Sequence, residues 1–148
     1  MNLLYALLFA LPAMAMALDT LKPFNYTATV MFIEGDKNHD GFIDRQELDA
    51  IYRGYDANNN GRISRQEYTQ YIQLHAPNLY QVAHAMYDIY DVDNDDQLDH
   101  HDFDNFYALM DGDGDGTVSH FEYVRYWTIL LGDLEQIVAG AKTVVVHP

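Results

Sequence analysis

An all-α array of helix–loop–helix units is the fold this sequence predicts, with four loops arranged as a duplicated two-loop unit and short β-bridges between paired loops. Three observations predict it. Acidic and amide residues recur four times at one spacing, in loops that begin at Asp36, Asp56, Asp91 and Asp111. Each loop ends in a helix start signal, a capping residue with an acid three positions later: Asp44 and Glu47, Ser64 and Glu67, Asp99 and Asp102, Ser119 and Glu122. Apolar and aromatic residues then recur at helical spacing, as Leu48, Ile51, Tyr52 and Tyr55 do, and as Phe103, Phe106, Tyr107 and Met110 do.

The chain begins with a segment that reads as an address. An apolar run from Leu3 to Leu11, a Pro12 breaker and the small-residue patterns Ala13-Met14-Ala15 and Ala15-Met16-Ala17 predict a secretory signal peptide over residues 1–17, cleaved after Ala17. It departs from the ideal in having no Lys or Arg ahead of the apolar run. That run is also shorter than the roughly 20 apolar residues of a membrane span. Residues 18–148 are then the mature chain, a single domain, secreted and extracellular. Asn25-Tyr26-Thr27 is the only N-x-[ST] triplet, which makes Asn25 the candidate glycosylation site. Val146-His147-Pro148 is no retrieval signal and Asn2 excludes N-myristoylation. With no Cys in the chain there is no disulfide framework, so bound metal must take over the stapling.

A leading helix is expected from about Asn25 to Glu34, followed by loop one (36–47), a helix, loop two (56–67) and a further helix. Pro77 breaks the chain between halves. A helix from about Asn78 to Tyr90 leads to loop three (91–102), a helix and loop four (111–122). In the tail, Leu134 to Ala141 reads as helix, while the β-branched Thr143 to Val146 suit a docked edge or a loose end.

The two halves are related by a shift of 55 residues, which superposes Tyr52 on Tyr107, Ile63 on Val118, Tyr68 on Tyr123 and Tyr71 on Tyr126. Within each half only eight residues separate the loops, Glu47 from Asp56 and Asp102 from Asp111. One helix of about three turns must leave the first loop and enter the second, and its ends lie roughly 14 Å apart. Loops on one helix therefore cannot pair. Loop two is expected to pair with loop three, bridging Ile63 to Leu98, and loop one with loop four, bridging Ile43 to Val118.

Each loop has the pattern that wraps a calcium ion in oxygen: side-chain oxygens at positions 1, 3 and 5, a residue tolerant of positive φ at 6, a backbone carbonyl at 7 and a carboxylate at 12. Asp36-Asn38-Asp40-Gly41 with Glu47, Asp56-Asn58-Asn60-Gly61 with Glu67, and Asp111-Asp113-Asp115-Gly116 with Glu122 meet every condition. Asp91-Asp93-Asp95 with Asp102 departs twice, with Asp96 at position 6 and Asp at position 12. The residues resemble the EF-hand superfamily typified by calmodulin, over Asp36 to Glu122 and the flanking helices. What that resemblance implies is calcium held by seven oxygens, two of them from the position-12 Glu. Loop one would use Asp36, Asn38, Asp40, the Phe42 carbonyl, Asp44 through water, and Glu47. Loop two would use Asp56, Asn58, Asn60, the Arg62 carbonyl, Ser64 and Glu67. Loop three would use Asp91, Asp93, Asp95, the Gln97 carbonyl, Asp99 and Asp102. Loop four would use Asp111, Asp113, Asp115, the Thr117 carbonyl, Ser119 through water, and Glu122. Loops one and four should bind best, and loop two, with two carboxylates, more weakly. In loop three the shorter Asp102 turns bidentate coordination towards monodentate, which suits six-coordinate Mg²⁺ better.

Composition narrows the function. Fifteen of the 23 acids sit at loop positions 1, 3, 5, 9 or 12, so the net charge of −15 is mostly metal-site charge. Four bound Ca²⁺ would add eight positive charges and leave −7, and nothing in this balance suits nucleic acid as a partner. Of the seven His, four lie in loops, His39, His100, His101 and His120, at positions that face away from the ion and towards solvent. No nucleophile–base set, phosphate-binding glycine loop or catalytic metal triad is present, so no enzyme is expected. The leading expectation is a secreted calcium-binding protein, an extracellular Ca²⁺ buffer, store or component of a mineral or extracellular matrix, similar in composition and secretion signal to EF-hand proteins of invertebrate extracellular fluids and mineralised matrices. The alternative is a Ca²⁺-dependent protein-interaction module presenting Tyr68, Tyr71, Tyr123, Tyr126 and Trp127, against the plainer reading that these rings fill the core.

Overall fold

The computed structural model describes residues 16–146, with side chains to residue 138. The expected signal peptide lies, up to Ala15, outside the described residues. Residues 16–20 are helical, and Leu18 and Leu21 are buried in the core. Six helices follow: α1 Phe24–Gly35, α2 Arg45–Tyr55, α3 Arg65–His75, α4 Tyr80–Tyr90, α5 His100–Met110 and α6 His120–Val146. Four two-residue strands lie in the loops, β1 Phe42–Ile43, β2 Ile63–Ser64, β3 Gln97–Leu98 and β4 Val118–Ser119.

The helices begin where the start signals place them. The Asp44 and Ser64 side chains accept from the backbone N–H of Glu47 and Glu67, whose carboxylates accept in turn from the capping residue's N–H. Asp99 and Asp102 form the same reciprocal box at the start of α5. Each such cap stabilises its helix by about 1 kcal/mol. The break at Pro77 is a 3₁₀ turn, Pro77–Leu79, that runs directly into α4. Proline suits the first position of such a turn, where the N–H it lacks would have no partner.

The tail differs from expectation. Thr143 to Val146 neither form an edge nor come loose but continue α6 to Val146. Extending an existing helix adds one hydrogen bond per residue fixed, and that outweighs the few tenths of a kcal/mol by which β-branched residues disfavour helix.

The strand pairing is nested. β1 pairs antiparallel with β4, setting Ile43 opposite Val118, and β2 pairs with β3, setting Ile63 opposite Leu98. The helices obey the same order: α1, before loop one, packs along α6, after loop four, and α3 packs on α4. One buried cluster draws on both halves, with Leu18, Tyr68, Val82, Tyr87, Trp127 and Leu131 among its members. A second lies under the loop one and four pair, formed by Phe32, Ile43, Leu48, Tyr107, Met110 and Val118.

Aromatic rings link the halves. Tyr68 and Trp127 are buried, and Tyr90 joins them edge-on, 6.1 Å from the Tyr68 ring and 6.4 Å from the Trp127 ring. Tyr71, Tyr123 and Tyr126 are half-buried. The set thus fills the interior, around a cavity of about 400 Å³ between the halves.

Leu131 is 1 % exposed where α6 meets the core and Leu109 on α5 is 59 % exposed. Leu131→Ala should therefore lower the unfolding free energy by about 2–5 kcal/mol. Leu109→Ala should stay within about 0.5 kcal/mol of wild type. Urea denaturation of both variants checks the contrast.

Candidate functional site

The four loops have one geometry built from one set of hydrogen bonds. In loop one the Asp36 carboxylate accepts from the N–H of Asp40 at 3.2 Å and of Gly41 at 2.9 Å, Asn38 Oδ1 accepts from Asp40 at 3.1 Å, and Asp40 Oδ1 accepts from Phe42 at 3.0 Å. The position-1 residues Asp56, Asp91 and Asp111 repeat this with the N–H groups four and five residues on. Backbone donors therefore turn the side-chain oxygens of positions 1, 3 and 5 towards a common centre.

The position-12 carboxylate closes each loop. Glu47 takes the Lys37 N–H on Oε1 at 2.9 Å and the Asp44 N–H on Oε2 at 3.0 Å, so it ties the loop's start to its end. Glu67 and Glu122 do the same through Asn58 and Ser64 and through Asp113 and Ser119. Asp102 takes the N–H of Val92 and of Asp99, each at 3.0 Å. At position 9, Asp44, Ser64, Asp99 and Ser119 act as the helix caps.

Carboxylate oxygens of Asp111, Asp113, Asp115 and Glu122 all lie within 4.8 Å of one another, as do those of Asp36, Asp40 and Glu47 and those of Asp91, Asp93 and Asp95. Asp102 does not join the loop-three group, in keeping with its shorter side chain. Loop two brings together two carboxylates, Asp56 and Glu67, with the amides Asn58 and Asn60. The carbonyl-bearing residues Phe42 and Gln97 lie in β1 and β3, and Arg62 and Thr117 immediately precede β2 and β4. These donors are all hard oxygens, the chemistry that fits Ca²⁺ or Mg²⁺. Among the described residues no histidine belongs to such a group.

A family model described as EF hand matches residues 28–52 and 55–72, which contain the whole of loop one and the whole of loop two with parts of the adjoining helices. Both stretches are EF hands. With the family comes calcium binding, and loops three and four, outside the matched stretches, repeat the hydrogen bonds of the two inside. No curated protein and no solved structure matches the chain.

Some features of these EF hands are not announced by the ligand pattern. The backbone has positive φ at position 4 as well as at position 6, at His39, Asn59, Asn94 and Gly114 as well as at Gly41, Gly61, Asp96 and Gly116. Asp96 has φ 62°, a conformation that Asp tolerates better than most residues. The position-10 side chains rest on rings four residues ahead of the partner loop. Arg45 lies over Tyr107 and Arg65 over Tyr87, with the guanidinium carbon 5.0 and 4.5 Å from the ring centre. His100 stacks on Tyr52 at 5.2 Å and His120 lies against Phe32 at 4.9 Å. His100 and His120 are thus exposed, as expected, but held against a ring. Arg45 pairs with Asp104, and Arg65 with Asp88 and Asp96. The clue was the spacing of Phe32, Tyr52, Tyr87 and Tyr107 ahead of the four loops; periodicity assigned Tyr52 and Tyr107 only to the core face.

Burial, with neighbouring acids adding to it, pushes the Asp91 and Asp102 carboxyls above the usual carboxylate range, against the backbone N–H groups they accept from. In loop four the Thr117 N–H holds Asp115 below that range and the Ser119 N–H holds Glu122 below it. A carboxyl raised on folding binds its proton more firmly folded than unfolded, so Asp91 and Asp102 stabilise the metal-free fold at acid pH and lose that contribution as pH rises through their raised values. The two lowered carboxyls stabilise it above the ordinary range and lose this as pH falls through their depressed values. In the metal-free protein Asp91 and Asp102 should therefore take up protons at a higher pH than Asp115 and Glu122. Site-resolved NMR titration of the carboxyl carbons checks the order.

Proposed function

We propose that the chain is a secreted calcium-binding protein that serves as an extracellular Ca²⁺ buffer, store or mineral-matrix component. The observation that carries this is the fourfold repetition of one oxygen-lined loop on a frame that buries Tyr68, Tyr87 and Trp127. Loop one holds its ion with Asp36, Asn38, Asp40, the Phe42 carbonyl, Asp44 and Glu47, and loop four with Asp111, Asp113, Asp115, the Thr117 carbonyl, Ser119 and Glu122. Loop two uses Asp56, Asn58, Asn60, the Arg62 carbonyl, Ser64 and Glu67. Loop three uses Asp91, Asp93, Asp95, the Gln97 carbonyl, Asp99 and Asp102, and with Asp102 outside the carboxylate group it is the calcium loop at which Mg²⁺ competes best. The bound ion supplies positive charge at the centre of each carboxylate ring.

Two observations favour storage over switching. Tyr68 and Trp127, the centre of the aromatic set a docking face would need, are 3 % and 5 % exposed. Mature-chain methionines are few, Met31, Met86 and Met110, and although all three line the cavity between the halves, Met86 and Met110 are themselves buried, so that cavity is lined mainly by aromatic and aliphatic side chains rather than by methionine. Secretion rests on the N-terminal apolar run. Asn25, exposed on the first turn of α1, is the expected glycan site. Among the described residues no helix is long and apolar enough to cross a membrane.

Calorimetric titration of the chelator-stripped mature protein with Ca²⁺, with and without Mg²⁺, tests the reading. Up to four sites in the high-micromolar to millimolar range are expected, one of them losing calcium to Mg²⁺, and Asp102→Glu should return that site to calcium. Two or three tight, cooperative micromolar sites would instead identify a switch and overturn the buffer. Each site filled at 100 times its Kd should stabilise the fold by about 2.7 kcal/mol, so a melt unmoved by chelator would contradict calcium-coupled folding.

A further inference from the structure

Three of the four helices that lead into a loop carry a tyrosine four residues before the loop's first ligand position. The Tyr52 hydroxyl donates to the carbonyls of Gly61 at 2.5 Å and Leu98 at 3.2 Å, Tyr87 to Asp96 at 3.0 Å and Ile63 at 2.9 Å, and Tyr107 to Gly116 at 2.9 Å and Ile43 at 3.1 Å. In each case one acceptor is position 6 of the tyrosine's own loop and the other is position 8 of the paired loop. All three rings are buried, and burial first among its causes pushes the Tyr52 hydroxyl up to about 12, so it remains a donor. Its single proton is shared between the two carbonyls as a three-centre bond.

The fourth such position is Phe32, buried at 4 % exposure and without a hydroxyl. The two loop pairs therefore differ. In loops two and three the position-7 carbonyls of Arg62 and Gln97 are flanked on both sides by tyrosine-held carbonyls. In loops one and four, Phe42 is flanked only on its position-8 side and Thr117 only on its position-6 side.

We propose that Tyr52 and Tyr87 are positioning residues that couple metal binding in loop two to metal binding in loop three. Tyr107 provides half of this coupling between loops one and four, and Phe32 withholds the other half. The inference rests on the calcium reading above. Drawing a position-7 carbonyl onto an ion fixes the carbonyls on either side of it, and a hydroxyl shared with the partner loop is satisfied only when both loops have that shape. A filled loop thus pre-shapes its partner. The complete bridge belongs to the pair with the weaker donor sets, loop two with two carboxylates and loop three with Asp at position 12, so backbone positioning offsets what the side chains lack.

The test is a calcium titration of the full mature chain and of its Tyr52→Phe/Tyr87→Phe and Phe32→Tyr variants, followed by NMR at the position-6 amides. Gly61 and Asp96 report one pair, Gly41 and Gly116 the other, because each N–H donates to its loop's position-1 carboxylate at 2.9 Å. In the wild type loops two and three should fill together. In the double variant their midpoints should separate, with coupling reduced about fivefold for each hydroxyl bond removed. Phe32→Tyr should draw the midpoints of loops one and four together, a gain that general destabilisation does not produce. If the double variant melts lower when metal-free but keeps loops two and three filling in step, the tyrosines are structural only and the proposal is overturned. A wild type with no calcium response at any loop would remove the calcium reading itself, and this inference with it.

Discussion

The eight residues between Glu47 and Asp56, and again between Asp102 and Asp111, constrain everything else in this molecule. They hold three turns of helix, which must finish one loop and begin the next. Loops at opposite ends of so short a rod cannot lie side by side, and a loop with an unpaired strand exposes backbone donors and acceptors. Each loop must find its partner in the other half. From that follow the nested order of β1 with β4 and β2 with β3, the packing of α1 along α6, and a core cluster drawing on both halves.

Within each loop the same few side chains serve two ends. The position-9 and position-12 residues cap the outgoing helix, and the position-12 carboxylate also reaches back to the N–H groups that open the loop. Loop shape is thus tied to these backbone-to-carboxylate hydrogen bonds as well as to the ligand pattern. The unfavourable term is repulsion among clustered acids, and it is greatest in loop three, where five acids occupy ligand positions and burial raises Asp91 and Asp102. A cation there relieves repulsion as well as gaining ligands.

Much of this was legible in the sequence because each inference had a local or arithmetic basis. The ligand oxygens repeat at fixed spacing, the capping boxes are three-residue patterns, and the loop pairing, down to Ile63 opposite Leu98 and Ile43 opposite Val118, follows from helix length. What escaped was cooperative or tertiary. The end of α6 depends on propagation from a helix already formed, which the preferences of Thr143 to Val146 do not reveal. A tyrosine in a core stripe and a phenylalanine there read alike by periodicity, so the roles of the Tyr52, Tyr87 and Tyr107 hydroxyls appear only when the partner loop's carbonyls are in place. The stacking of Arg45, Arg65, His100 and His120 likewise joins residues far apart in the chain.

The nested pairing also gives the molecule the symmetry of a dimer. Loop one meets loop four and loop two meets loop three, so the first loop of each half contacts the second loop of the other, the self-complementary relation of two protomers about a twofold axis. The halves are one chain, and the turn at Pro77–Leu79 is their tether. An association that would otherwise depend on protein concentration becomes intramolecular, at an effective concentration set by a linker of a few residues. Cutting that linker would leave each half with two unpaired loops and one surface able to satisfy them, that of the other half.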